Sequence, residues 1–150
     1  MQWYDTEILF RKDFITKKEQ IFMTIKQRDA VKAYQALKKL NSQETSGSIA
    51  LKIFNTMNKL QSMFDFQIQE ERKILEKHPQ FNPVEGKIKI ENGDQEAAIA
   101  ELKAIDDEFG KLASIENDVD IESFVINTNA ESIKISGDDI KALDGIVEFT

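Results

Sequence analysis

The single histidine is the residue best suited to acid–base chemistry in this sequence. His78 is followed by Pro79, which predicts that it lies at the end of a helix, where a positive charge favours the helix dipole. Acid–base catalysis would also need a nucleophile or a carboxylate partner, and no neighbouring motif marks one. We therefore expect His78 to cap its helix or to be exposed to solvent.

Carboxylates are numerous, but their spacing does not indicate a metal site. The acidic runs 70–71 and 106–108 occupy consecutive helical positions, so their side chains point in different directions. Residues 92–94 lack the alternating acidic ligands of a calcium loop, and a turn followed by a helix cap explains them. Glycine-rich phosphate loops and cysteines are absent. We expect no catalytic residue, no cofactor and no metal ligand, and hence a protein that is not an enzyme.

The charge of −7 is unevenly distributed along the 150 residues. Residues 1–78 carry 14 Lys+Arg and 10 Asp+Glu, a balance of +4, whereas residues 79–150 carry 6 and 17, a balance of −11. An acidic half repels phosphate backbones, which disfavours nucleic acid as a partner. It would suit a basic protein surface, or it serves only as a solvated surface that keeps the chain soluble. No apolar run approaches the roughly 18 residues of a membrane span, so we expect no membrane partner.

The hydrophobic periodicity predicts a helical hairpin. The first helix is expected over residues 29–40, with Asp29 as its N-cap, and the second over residues 48–77. Ile53, Leu60 and Phe64 belong to the apolar stripe of the second helix, which is long for a domain of this size.

Shorter patterns predict the remaining elements. Strands are expected at residues 20–25, 87–90, 119–126 with a break near Ser123, and 133–135. Asp94 is expected to cap a helix that ends near residue 114. Ser136 is expected to cap a closing helix, with Asp139 reaching back to complete a capping box.

These elements predict the α+β class. A helical hairpin, of which one helix is long, is expected to pack on a small, mostly antiparallel sheet. Residues 1–22 are expected to form an N-terminal arm or an extra strand, and residues 23–150 a single α+β domain. The strand alternative for the N-terminal segment rests on Ile8-Leu9-Phe10.

Aromatic and methionine side chains are the candidate partner contacts, because such residues anchor many protein interfaces. Two groups qualify: Trp3, Tyr4, Phe10 and Phe14 in the N-terminal segment, and Phe54, Met63 and Phe66 on the long helix. For the helical group, an ordinary core stripe is the alternative explanation.

The order of motifs resembles an uncharacterised family of small proteins encoded by tailed phages and prophages, mostly of Gram-positive bacteria. The resemblance covers about residues 23–149. It rests on the following segments: Ala33-x-x-Ala36-Leu37-x-x-Leu40, the long helix from Ile49-Ala50-Leu51-Lys52-Ile53 to Glu70-Glu71-Arg72-Lys73-Ile74-Leu75, Gly86-Lys87-Ile88-Lys89-Ile90, Phe109-Gly110-Lys111-Leu112, Val119-Asp120-Ile121 and Ile135-Ser136-x-x-Asp139-Ile140-x-x-Leu143. It implies a phage origin and brings no catalytic residue with it.

The sequence leaves three functions open, of which the third is an enzyme that uses a carboxylate site without a recognisable motif. The first is a non-enzymatic virion structural or assembly component whose partners are other phage proteins or further copies of itself. The second is an inhibitor of a host defence or nucleic-acid enzyme, which binds that host protein through the acidic C-terminal half. The expected location is the host cytoplasm, because the sequence shows neither the pattern of a signal peptide nor a membrane span and the resemblance implies a phage origin. Incorporation of the protein into the virion stays open.

Overall fold

The computed structural model describes residues 21–90 and 93–150 of the chain. The candidate contacts Trp3, Tyr4, Phe10 and Phe14, and the choice between an arm and an extra strand, lie outside the described residues. The elements within the described ranges are, in chain order, β1 Ile21–Lys26, α1 Gln27–Asn41, α2 Gly47–Lys77, β2 Phe81–Asn82, β3 Lys87–Ile88, α3 Gln95–Ala113, β4 Glu116–Ile121, β5 Phe124–Ile126, α4 Thr128–Glu131, α5 Gly137–Ala142 and β6 Val147–Phe149.

The predicted α+β class is confirmed, and α1 and α2 form the expected hairpin. The long helix α2 begins one residue before its predicted start and ends at the predicted residue. The described strands form three two-stranded sheets, of which β1–β4 and β2–β3 are antiparallel and β5–β6 is parallel. Ile21 and Phe22 pair with Ile121 and Asp120 in the first of these sheets, which agrees with the predicted strand at residues 20–25.

The core lies where the helical hairpin meets the β1–β4 and β5–β6 pairs. Helix α1 buries one face at helical spacing, and the residues of that face are Ala30, Ala33, Tyr34, Ala36, Leu37 and Leu40. Ile53 and Leu60 of α2 are fully buried against this face. Phe64 stacks on Tyr34 with ring centroids 4.4 Å apart, which locks the two helices in register.

The start of α1 differs from its prediction. The helix begins at Gln27 directly after β1, so Asp29 lies in the first turn and its assignment as N-cap was wrong. Lys26 holds the cap position without a side-chain hydrogen bond. The first backbone N–H of α1 needs no capping side chain, because the Gln27 N–H donates to the Ile115 carbonyl at 2.7 Å.

Gln27 is also the most deeply buried polar side chain described. Its Nε2 donates to the carbonyl of Met63 on α2 at 2.5 Å, and its Oε1 accepts from Asn117 Nδ2 of β4 at 3.0 Å. Both ends of the amide are thus satisfied, as a buried polar group requires. The side chain ties the start of α1 to the middle of α2 and to the sheet.

The predicted strand at residues 133–135 was wrong, because this segment is irregular. Ile133 is buried and Ile135 packs against the core, which explains the alternating pattern without a strand. The side chain of Gln43 takes the place of a strand partner: its Oε1 accepts from the Lys134 N–H at 2.9 Å, and its Nε2 donates to the Lys134 carbonyl at 2.7 Å.

Two of the predicted helix caps are confirmed. Asp94 accepts from the Ala97 N–H at 3.1 Å at the start of α3, and Ser136 Oγ accepts from the Asp139 N–H at 3.2 Å at the start of α5. The Asp139 carboxylate lies 3.3 Å from Lys39 Nζ, so it joins α5 to α1 instead of completing the capping box.

Replacement of Leu60 by Ala should lower the free energy of unfolding by about 2–5 kcal/mol, because it leaves a cavity in a fully buried site. Leu51→Ala is the matched control on the same helix. Leu51 is 59% exposed, and its loss should cost less than about 0.5 kcal/mol. Chemical denaturation measures both, and equal losses would contradict the burial of this face.

Gln27→Leu should destabilise the fold by about 1–3 kcal/mol, since it strips the hydrogen-bond partner from Asn117 and from the Met63 carbonyl. Gln35→Leu, at an exposed position of the same helix, should change stability by less than about 0.5 kcal/mol. If the Gln27 variant proves as stable as the native chain, the buried amide does not hold the elements together.

Candidate functional site: exposed aromatic residues and a histidine cluster

The predicted contact residues on α2 divide into two kinds. Phe54 is 48% exposed and Phe66 is 39% exposed, so both present apolar surface to solvent. Met63 is half-buried against the core and supplies the carbonyl bound by Gln27, which makes it a core residue. Phe54 and Phe66 are twelve positions apart, which places them roughly 18 Å apart along the axis and about 120° around it. They belong to different surfaces.

Phe54 has an apolar neighbour on its own surface. Leu51 lies one turn earlier and is 59% exposed, and Asn55 and Asn58 are exposed beside it. We call these four residues the outer face of α2. From Gly47 to Phe64 the helix holds lysines at two positions and no acidic residue. The outer face therefore combines exposed apolar area with two lysines of the same helix, one of which, Lys59, lies 3.9 Å from Asp120.

Acidic side chains line the outer surface of β4. Glu116, Asp118 and Asp120 alternate with Asn117, Val119 and Ile121; because Val119 and Ile121 are buried, the acidic residues face away from the core. Asp118 accepts from the Thr24 hydroxyl at 2.8 Å, and Asp120 lies 3.9 Å from Lys59 Nζ. This row is the part of the acidic C-terminal half with the most regular geometry.

His78 caps α2, as predicted, and its side chain also forms a cluster with two glutamates of α3, which the sequence did not predict. Its backbone N–H donates to the Leu75 carbonyl at 3.1 Å, at the C-terminal end of α2. Its side chain, however, is only 15% exposed. Nδ1 lies 3.1 Å from Glu101 Oε1, and Nε2 lies 3.1 Å from Glu108 Oε2. Lys77 Nζ contacts the other oxygen of Glu108 at 3.4 Å. We call these four residues the His78 cluster.

The two carboxylates favour the charged form of the imidazole. Both ring nitrogens can donate only when the ring is protonated, and each faces an acceptor. The hydrogen bond to Glu101, followed by that to Glu108, raises the pKa of His78 above its ordinary value of 6.5, against the opposing effect of burial. The hydrogen bond from His78, helped by Lys77, lowers the pKa of Glu108 below 4.5.

The signs of these shifts define a pH window. The raised pKa of His78 means that its contribution to stability is complete below about pH 6.5 and is lost as the pH rises through the folded-state value. The lowered pKa of Glu108 means that its contribution is present above about pH 4.5 and is lost as the pH falls through the folded-state value. The cluster is therefore strongest in mildly acidic solution.

The outer face of α2 and the His78 cluster present apolar and charged side chains, respectively. Across residues 21–90 and 93–150, no group of three or more His, Cys, Asp or Glu side chains has the arrangement of a metal site. Each ring nitrogen of His78 already faces a carboxylate, so neither is directed at an open cavity. Among the helices of these same ranges, none is both long and apolar enough to cross a membrane.

No protein-family model, curated protein or solved structure matches the chain. The resemblance to small phage proteins therefore remains a prediction from the sequence.

Sequence patterns could not reveal the His78 cluster. Glu101 and Glu108 follow His78 by 23 and 30 residues, and only the packing of α3 beside α2 brings them together. Their spacing of seven residues on α3 was visible in the sequence, and it places both carboxylates on one side of that helix. It did not identify the partner.

The pKa of His78 is directly measurable, because the chain has one histidine. Its Cε1 proton should titrate in NMR spectra of the folded protein with a midpoint above 6.5. Glu101→Gln should lower that midpoint by removing the largest stabilising contact of the cation. A midpoint at or below 6.5 in the native chain would contradict the cluster.

Proposed function

We propose that the protein is a non-enzymatic phage protein that acts through protein–protein contact, as a virion structural or assembly component. Its partners are other phage proteins or further copies of itself. In this proposal it works in the host cytoplasm and is incorporated into the virion. The family resemblance supports the phage origin, and the geometry of α2 supports the mode of action.

The observation that carries this proposal is the outer face of α2. Leu51 and Phe54 lie one turn apart and each leaves about half of its side chain in solvent. The same helix buries Ile53 and Leu60 completely, so the exposed pair is additional to the core stripe. Apolar side chains adjacent on a helix are the usual anchors when a helix binds a partner surface. The N-terminal Trp3 and Tyr4 add aromatic residues of the same kind.

A second candidate function rests on a different surface. The outward row of Glu116, Asp118 and Asp120 on β4 could occupy a basic cleft that normally binds nucleic acid. This supports an inhibitor of a host defence or nucleic-acid enzyme. The row is partly neutralised by Lys59, which contacts Asp120, and Glu116 pairs across the sheet with Lys26. We rank it second for that reason.

The proposed function predicts the behaviour of a double variant in phage particles. Leu51→Ser with Phe54→Ser should reduce incorporation into virions by at least about tenfold, because it removes both apolar anchors. Quantitative mass spectrometry of purified virions measures the incorporation. Thermal unfolding of the isolated variant should stay close to that of the native protein, since both positions are exposed.

The matched control is Val125→Ser, which removes an exposed apolar side chain from β5, 49% exposed, and should leave incorporation unchanged. Absence of the native protein from purified virions would overturn the structural role. If the protein then copurified with a host nuclease, and Asp118→Lys abolished that association, the inhibitor function would replace it.

A further inference from the structure

Helix α3 buries the smallest share of its residues among the three long helices of the described ranges. Of its 19 residues only Ile105 and Leu112 are buried, whereas α1 buries seven of its 15 residues. Ile105, Leu112 and Ile74 of α2 lie outside the main hydrophobic core cluster. The attachment of α3 to the distal half of α2 therefore depends on a few contacts, and losing one of them matters more here than in the core.

The His78 cluster occupies the centre of that attachment. Glu101, Ile105 and Glu108 follow one another at i, i+4 and i+7, so they share one side of α3. The two carboxylates flank the buried Ile105, and His78 binds both of them from the end of α2. One imidazole thus bridges about two turns of α3 around its central apolar contact.

We propose that the His78 cluster is a proton-dependent clamp that holds α3 against α2 when the imidazole is charged and loosens α3 when it is neutral. With the charged ring, N–H groups face both carboxylates. A neutral ring keeps one N–H, so its other nitrogen presents a lone pair to a carboxylate oxygen 3.1 Å away. That contact changes from attraction to repulsion, and one of the two links to α3 is lost.

The charge-dependent contacts of His78 lie between α2 and α3. Among the described residues, the charged groups that face the His78 ring are Glu101 and Glu108 from α3, and Lys77 contacts Glu108 through the oxygen that the ring does not use. On the side of the β2–β3 hairpin, the contact is neutral: the Phe81 N–H donates to the His78 carbonyl at 3.0 Å. The backbone end of α2 is therefore held irrespective of pH. The main core, built on α1, contains no member of the cluster.

The raised pKa of His78 sets the direction of the response. The clamp is closed in mildly acidic solution and opens as the pH rises through the folded-state pKa. Because the glutamates are one-third exposed, solvent screens the interaction and the response is moderate. The clamp is independent of the proposed function, since it concerns α3 and no residue of the outer face of α2.

Hydrogen exchange in the full-length protein tests the clamp. Protection factors of α3 amides around Ile105, divided by those of α1 amides around Leu37, should fall by about two- to fivefold between about pH 5.5 and pH 8. The α1 amides serve as an internal reference for global stability. A ratio that does not change with pH, or a parallel loss of protection in both helices, would overturn the proposal.

Variants assign the effect to the imidazole. His78→Gln keeps an N–H donor but does not titrate, so its α3/α1 ratio should be independent of pH. Lys77→Gln is the matched control, because it removes a neighbouring charge and leaves the histidine, and the pH response should persist. Glu101→Gln should move the midpoint of the response to lower pH. If His78→Gln retained the native pH response, another group would be responsible and the clamp would be rejected.

Discussion

The fold depends on one buried amide. Gln27 has no exposed area, and its side chain joins the carbonyl of Met63 on α2 to the amide of Asn117 on β4. If a buried amide loses a hydrogen-bond partner, the free-energy cost of its desolvation is no longer offset. The start of α1, the middle of α2 and the end of the β1–β4 ladder therefore have to meet at one point in one register, and the apolar contacts are arranged around that point.

This register also decides which side chains of α2 remain available for contact. With the Met63 carbonyl held by Gln27, Phe64 lies against Tyr34, and the Tyr34 hydroxyl donates to Gln61 Oε1 at 2.7 Å. The rotation of α2 about its axis is thus fixed by several contacts. Leu51 and Phe54 are then turned outward, because the face that opposes them is filled by α1 and the sheet.

Local patterns predicted what local interactions determine. The apolar stripe located α2 to within one residue, and Asp94 and Ser136 were identified as caps because a cap requires only its own first turn. The same reasoning failed for residues whose hydrogen-bond partners are distant in the sequence. From the sequence alone, Gln27 looks like a surface residue, because its partner Asn117 is 90 positions away. The alternation of Ile133 and Ile135 looks like a strand, although the backbone between them is bonded by the Gln43 side chain and not by a neighbouring strand. His78 had no visible partner for the same reason, since its carboxylates belong to α3.

The molecule therefore contains two kinds of polar contact, one that does not depend on pH and one that does. Gln27 is neutral and fully buried, so its hydrogen bonds do not vary with pH and they hold the region that presents the outer face of α2. His78 is titratable and partly exposed, and it holds a helix with two buried side chains. A proton can therefore alter the packing of α3 without disturbing the hairpin. Under the proposed contact function, this separation would keep the outer face of α2 ordered while α3 responds to pH.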